Sequence, residues 1–154
     1  MKVFAAFMNA LLIQPNSMTN IVLDTNSLIM AISARNIYHK IWLSFLEGGY
    51  CLCISNEILE EYAEVISNNI NPDVARYVIY TILERKNVRQ ISAYYKWNLI
   101  TADPDDNKFV DCAVAANAKY IVTEDHHFNV LKTVVFPVVN VINIDEFLRE
   151  IENI

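Results

Sequence analysis

Two aspartates stand just after apolar runs that have the composition of buried strands. Asp24 follows the run at residues 21–23, and Asp125 follows the run at residues 120–123 after one intervening residue. In parallel α/β sheets, ligands bind at the carboxyl ends of the strands, so acids at these positions are placed for chemistry. Aspartate is also a preferred N-cap of helices, and for either residue alone that structural role is the alternative.

A third acidic segment, at residues 103–111, reads DPDDNKFVD and contains four aspartates in nine residues. Such crowding of like charges costs stability unless a cation binds or the segment is fully solvated. A calcium EF-hand loop is excluded: Asp103, Asp105 and Asn107 match its first ligands, but Lys108 stands where the loop needs glycine. A cluster of carboxylates without His or Cys favours hard divalent ions over zinc, so the segment predicts a site for Mg²⁺ or Mn²⁺.

A predicted helix after Ser55 carries four glutamates. At about 100° per residue, Glu57, Glu60 and Glu64 fall opposite the apolar stripe of this helix, whereas Glu61 falls at its edge. A partly buried carboxylate needs a partner. For Glu61 a metal ion is one candidate, and a lysine or arginine is the alternative.

The composition excludes several classes of site. The 154 residues are 54% hydrophobic, and 12 Lys and Arg against 18 Asp and Glu give a net charge of −6, which argues against nucleic-acid binding by bulk attraction alone. Gly48 and Gly49 are the only glycines, which excludes glycine-rich phosphate loops and the nucleophile elbow. Cys51, Cys53 and Cys112 are odd in number and too few for a disulfide framework, so we expect a reduced, cytoplasmic protein.

Apolar runs without polar alternation recur along the chain, separated by amphipathic stretches. This pattern predicts an α/β fold with a parallel sheet covered by helices on both faces, in one domain at residues 20–152. The predicted strands lie at residues 21–23, 50–54, 120–123 and 138–144. The predicted helices lie at residues 27–33, 37–47, about 55–70, 73–86, from the turn at 103–107 to about 118, and after an Asp145 cap.

Residues 1–19 precede the first predicted strand, and we interpret them as an N-terminal extension. Lys2 and the apolar run at residues 3–13 superficially resemble a signal peptide, but no small-x-small cleavage site follows. No run reaches the ~18 apolar residues that a membrane-spanning helix needs, so we expect no association with a membrane.

Four segments resemble, in order and spacing, the acidic motifs of the PIN-domain family. They read LDTN at 23–26, SNEILEEY at 55–62, DPDDNKFVDCA at 103–113 and VTED at 122–125. The resemblance covers about residues 20–150 and extends to bacterial VapC-type toxins of toxin–antitoxin pairs. The four metal-binding and catalytic acids of the family then fall on Asp24, Glu61, Asp106 and Asp125, its supporting polar positions on Asn26 and Thr123, and an extra acid on Asp111.

The resemblance implies a three-layer α/β/α fold with a central parallel sheet, and Mg²⁺- or Mn²⁺-dependent hydrolysis of RNA. Asp24 is then the central metal ligand, while Asp106 and Asp125 complete one or two metal shells. Glu61 holds or orients the attacking water, whose pKa a bound metal ion lowers. The resemblance also implies a homodimer and a small antitoxin protein as partner.

Two other functions stay open. A PIN-like module that binds RNA or a protein without cutting is one of them, although the complete set of acids argues against it. An aspartyl-nucleophile phosphatase of the haloacid dehalogenase type is the other. It also begins with an aspartate at a strand end, but it needs a second aspartate where Asn26 stands.

Two more groups of residues have both a functional and a structural interpretation. His126 and His127 could bind metal or transfer protons, but adjacent histidines on a loop or helix start more often face solvent. The basic residues and aromatics at residues 76–97 could form a rim that contacts RNA. A solvated helix face and core aromatics explain them equally well.

Overall fold

The computed structural model describes residues 18–153, and its centre is a sheet of five short strands. The strand order is β3-β2-β1-β4-β5, and every adjacent pair is parallel. The predicted parallel α/β sheet is therefore confirmed. The predicted extension at residues 1–19 lies almost wholly outside the described residues. The strands are β1 (Asn20–Leu23), β2 (Cys51–Ile54), β3 (Val88–Gln90), β4 (Tyr120–Val122) and β5 (Val141–Ile142).

Within residues 18–153, six α-helices cover this sheet in a three-layer α/β/α arrangement. Local sequence explains where several begin, because Ser55 and Asn71 each accept a hydrogen bond from the backbone of the first turn that follows. The helices are α1 (Thr25–Ile32), α2 (His39–Leu46), α3 (Asn56–Asn69), α4 (Pro72–Glu84), α5 (Asn107–Ala116) and α6 (Ile144–Glu152). The 3₁₀ segment Pro104–Asp106 directly precedes α5, and the 3₁₀ segment His126–Thr133 follows β4.

Three details differ from the prediction. The strand predicted at residues 138–144 is only Val141–Ile142, and β3 was not predicted because its sequence VRQ is mostly polar. The last helix is capped by Asn143, whose side chain and that of Glu146 form a reciprocal capping box, so the predicted Asp145 cap is wrong.

The hydrophobic core lies on and around the central strands. The side chains of β1 from Ile21 onward and all of β2 are buried, as expected for a parallel sheet that is covered on both faces. Cys51, Cys53 and Cys112 are free and buried in this core. Between residues 18 and 153, no helix combines the length and the apolar composition required to cross a bilayer.

The pairing of β1 with β4 determines where the candidate site lies. Leu23 is in register with Val122, so the residues that leave these two strands emerge side by side at the same edge of the sheet. The backbone N–H of Asp24 donates to the carbonyl of Val122 at 3.1 Å, which continues the ladder by one bond. The acidic motif that follows β1 is therefore held next to the acidic motif that follows β4.

Candidate functional site

Asp24 is buried at the carboxyl end of β1, with 6% of its surface exposed. Its Oδ1 accepts a hydrogen bond from the backbone N–H of Ser27 at 2.8 Å, so Asp24 is the N-cap of α1. Its Oδ2 accepts a hydrogen bond from the hydroxyl of Thr123. Burial raises the pKa of Asp24, these hydrogen bonds oppose that shift, and the charge of Asp125 adds to it. Asp24 is therefore a helix N-cap, which was the structural alternative, and it also lies near the charge of Asp125.

Thr123 connects the two strand-end aspartates. Its Oγ1 donates to Asp24 and accepts a hydrogen bond from the backbone N–H of Asp125 at 3.0 Å. Thr123 is itself buried, at 4% exposure, so this connection is shielded from water. Asn26, the other supporting position of the sequence analysis, is exposed on α1.

Asp106 and Asp125 meet beside His127. Asp125 caps the 3₁₀ segment His126–Thr133, since its Oδ1 accepts the backbone N–H of His127 at 2.9 Å. The ring Nδ1 of His127 lies 3.2 Å from Asp125 Oδ1 and 3.7 Å from Asp106 Oδ2. Asp106 precedes α5 but its side chain makes no capping hydrogen bond. Its carboxylate is therefore free to face the neighbouring acid and the histidine ring.

The Asp106 carboxyl has the most strongly perturbed acidity of this cluster. Burial first, and then the negative charges of Asp103 and Asp125, raise the pKa of Asp106 to about 7. The sequence analysis anticipated repulsion between like charges, and the structure adds loss of solvation as the larger cause. With a pKa of about 7, this carboxyl is only partly ionised at neutral pH, and a bound cation would favour its ionised form.

Glu61 lies on the same side of α3 as the buried stripe, with 25% of its side chain exposed, while Glu57, Glu60 and Glu64 are exposed. Its Oε1 lies 2.8 Å from Nζ of Lys108, and its Oε2 accepts the hydroxyl of Thr25. The predicted orientation of the four glutamates is confirmed. In this structure the partner of Glu61 is a lysine.

The next residue of α3 holds this helix to the end of β1. Tyr62 is fully buried, and its hydroxyl donates to the backbone carbonyl of Leu23, the residue before Asp24. Glu61 is thus tied to the strand end by its neighbour in sequence, and to Thr25 by its own side chain.

Asp111 has a different environment from the other acids. It is 8% exposed, and its Oδ1 accepts the backbone N–H of Trp97 at 3.1 Å. One turn earlier on α5, the Asn107 amide forms two hydrogen bonds of 2.9 Å with the backbone of Ile100. Both side chains fix the segment between β3 and α5, and sequence analysis missed this role of Asn107.

The basic residues at 76–97 have different environments. Arg76 pairs with Asp73 on the exposed side of α4, and Arg89 donates to the carbonyl of Ala116 at 3.0 Å. Lys96, by contrast, lines a pocket of about 150 Å³ beside the acidic segment, together with Asp105, Lys108 and Asp111. Of the two structural explanations, solvated charges fit Arg76, whereas core aromatics are wrong for Tyr94 and Tyr95, which are exposed.

Three residues that the sequence analysis did not assign to the site, Asp103, His126 and His127, lie beside its acids. Within each of two groups, Asp103–Asp106–His127 and Asp125–His126–His127, the candidate ligand atoms lie within 4.8 Å of one another. Asp106 Oδ2 and His127 Nδ1 are buried and have no hydrogen-bond partner among the described residues. A divalent cation is a chemically suitable partner for both atoms. The buried residues Phe128 and Leu131 of the 3₁₀ segment His126–Thr133 are one 3₁₀ turn apart, and that spacing does not indicate which of the two preceding histidines faces the acids.

Comparison with known proteins agrees with this geometry. A family model described as PIN domain matches residues 20–127 of the chain. A similar solved structure is the crystal structure of VapBC2 from Rickettsia felis bound to a DNA fragment from their promoter. It aligns with a TM-score of 0.57 and 21% identity over 81% of this chain and 98% of that chain, which shows a shared fold. A comparison with curated protein sequences finds no match.

Proposed function

Because this chain belongs to the PIN-domain family, we propose that it is a metal-dependent ribonuclease that hydrolyses the phosphodiester bonds of RNA. The observation that carries the proposal is that Asp125, which follows β4, is linked both to Asp24 at the end of β1 and to Asp106 before α5. Asp24 and Asp125 share Thr123 as a hydrogen-bond partner, and the charge of Asp125 acts on Asp106. Acids crowded in this way need a cation to be ionised together.

In the proposed enzyme Asp24, Asp106 and Asp125 hold Mg²⁺ or Mn²⁺, which would neutralise the charge of the phosphodiester and lower the pKa of water. Two unpaired buried atoms, Asp106 Oδ2 and His127 Nδ1, support the fit of a cation to this cluster. Carboxylate oxygens are the ligands that these ions prefer. Thr123 keeps the Asp24 carboxylate oriented, because it donates to one of its oxygens.

Glu61 has a separate role in this proposal. Its carboxylate is fixed by Lys108 on one oxygen and by Thr25 on the other. A carboxylate held by an ammonium on one oxygen and by a hydroxyl on the other is fixed in orientation, which suits a group that orients the attacking water. We therefore assign to Glu61 the orientation of water, and to Lys108 the positioning of Glu61.

The chain is further proposed to be the toxin of a toxin–antitoxin pair that acts in the cytoplasm. The solved structure with a similar fold is a VapBC2 complex bound to promoter DNA. By analogy, a small antitoxin protein would bind this chain. A homodimer is proposed from the family resemblance alone.

Cleavage of a panel of end-labelled RNAs tests the proposed activity. Each RNA is incubated with EDTA, and then with Mg²⁺ or Mn²⁺ restored in excess. DNA of the same sequence and an aryl phosphomonoester serve as alternative substrates. RNA cleavage that disappears with EDTA and returns with metal supports the proposal. RNA that is bound but never cut indicates a binding module, and release of phosphate from the monoester alone indicates a phosphatase.

A further inference from the structure

His127 is positioned by its backbone as well as by its ring. Its N–H donates to Asp125 Oδ1 at 2.9 Å at the start of the 3₁₀ segment that follows β4. This contact fixes the backbone next to the acid and directs the ring toward the acidic cluster. The neighbouring His126 is 83% exposed, whereas His127 is 31% exposed and its Nδ1 is buried.

The ring nitrogen faces oxygens that do not satisfy it. His127 Nδ1 is 3.2 Å from Asp125 Oδ1 and 3.7 Å from Asp106 Oδ2, yet it is not aligned for a hydrogen bond with either. Asp106 Oδ2 is buried and unpaired in the same way. Leaving two buried polar atoms without partners is costly, so a group that binds both atoms would stabilise the site.

The separations between these atoms suit ligands of a shared ion. With metal–ligand bonds of about 2.1 Å, tetrahedral or octahedral coordination puts neighbouring ligand atoms roughly 3.0 to 3.4 Å apart. The distances of 3.2 and 3.7 Å from Nδ1 need only a small adjustment to reach this range. Asp103 provides a further carboxylate within 4.8 Å of the Asp106 and His127 ligand atoms.

We propose that His127 supplies a nitrogen ligand to a divalent cation in this centre, alongside Asp106 and the neighbouring carboxylates. The inference rests on the proposed function, since it requires the acidic centre to bind a cation. Imidazole binds first-row transition metals much better than it binds Mg²⁺. The affinity of the centre for Mn²⁺, Co²⁺ or Zn²⁺ should therefore exceed its affinity for Mg²⁺ by a larger factor than a site made of the carboxylates alone would show.

Pulsed electron paramagnetic resonance of the full chain loaded with Mn²⁺ tests the ligand directly. A nitrogen ligand produces nitrogen coupling in the spectrum, which we expect in the wild type and in His126→Ala but not in His127→Ala. Calorimetric titration gives the second readout. The affinity of His127→Ala for Co²⁺ should fall by about tenfold or more, while its affinity for Mg²⁺ falls less.

The opposite outcomes are distinct from one another. If Mn²⁺ binds the wild type without nitrogen coupling, carboxylates alone hold the ion and the assignment of His127 is overturned while the proposed function stands. If the nitrogen coupling disappears in His126→Ala but persists in His127→Ala, the ligand is His126 and the assignment of His127 is overturned. Unchanged or tighter Co²⁺ binding by His127→Ala identifies the ring as a counter-ion of the acids. A wild type that binds none of these ions overturns both proposals.

Discussion

Nζ of Lys108 lies 2.8 Å from Oε1 of Glu61, and the two side chains are only 14% and 25% exposed. Burial alone would lower the pKa of Lys108, but the hydrogen bond and the charge of Glu61 outweigh that effect and raise it. The pair joins the first turn of α5 to the middle of α3, and thus ties two of the acidic motifs together.

Glu61→Gln should weaken both stability and activity. The substitution leaves the ammonium of Lys108 without its carboxylate in a mostly buried position, which should cost about 1–3 kcal/mol in the free energy of unfolding. Cleavage should fall by about 10²-fold or more if Glu61 orients the water. Denaturant unfolding and RNA cleavage measure the two effects.

Glu60→Gln is the matched control, because Glu60 is the preceding residue of the same helix and is exposed. It should behave like the wild type in both assays. If Glu60→Gln were the inactive variant and Glu61→Gln the active one, the assignment of the acid on α3 would be wrong.

The metal-free protein should lose stability as pH rises from about 4 to about 7. The pKa of Asp106 is raised in the folded state from 3.8 to about 7, so in this window the folded state binds more protons than the unfolded state. The contribution of Asp106 to the free energy of unfolding is complete below its pKa in the unfolded state, and it is lost as pH rises through its pKa in the folded state. Melting curves at about pH 5 and about pH 8 in EDTA measure this loss.

Asp106→Asn should flatten that pH profile and should leave the metal-free protein at least as stable as the wild type. The Asp106 side chain makes no capping hydrogen bond, so the amide loses no such contact and removes a crowded charge. A variant that melts several degrees lower, or keeps the full pH slope, would show that another group dominates.

Asp24→Asn should keep the fold and lose activity. Asparagine is as good an N-cap as aspartate and can still accept the bond from Ser27, but its amide nitrogen cannot accept the bond from the buried Thr123 hydroxyl, so the variant should fold with a loss of about 1–2 kcal/mol in the free energy of unfolding. Removal of the charge should weaken Mn²⁺ binding by about tenfold or more, as measured by calorimetry. Full cleavage with a continuing requirement for metal would remove Asp24 from the centre.

Asp111 should prove to be structural. Asp111→Ala leaves the N–H of Trp97 unpaired and should destabilise the protein by about 1–2 kcal/mol, whereas Asp111→Asn retains an acceptor and should be close to the wild type in stability and cleavage. An Asp111→Asn variant that is stable yet inactive contradicts this, and would place the residue among the functional acids.

The sequence predicted the parts of the site that depend on local pattern. Continuous apolar runs identified β1 and β4, so the position of Asp24 and Asp125 at one sheet edge could be anticipated. Helical phase was enough to distinguish Glu61 from Glu60. In both cases the residue lies in or directly after a regular strand or helix, and the sequence pattern indicates where the strand ends or which face of the helix is buried.

The contacts between elements could not be predicted in this way. The Glu61–Lys108 pair depends on how α3 and α5 approach each other, and that approach leaves no local pattern. His127 faces the acids because Asp125 accepts its backbone N–H, a turn that a pair of adjacent histidines does not reveal. Phe128 and Leu131 of the 3₁₀ segment that carries it pack into the core, but their spacing of three does not distinguish His126 from His127.

Cleavage of a labelled RNA by Asp106→Asn, with Mn²⁺ in excess, tests the central claim most directly. Asp106 makes no capping bond and its carboxyl faces Asp103, Asp125 and His127, so a change in activity reports on chemistry rather than on folding. The account predicts that the wild type cuts only with metal and that the folded variant cuts at least about 10²-fold more slowly. Equal, metal-dependent cleavage by the variant and the wild type would contradict it.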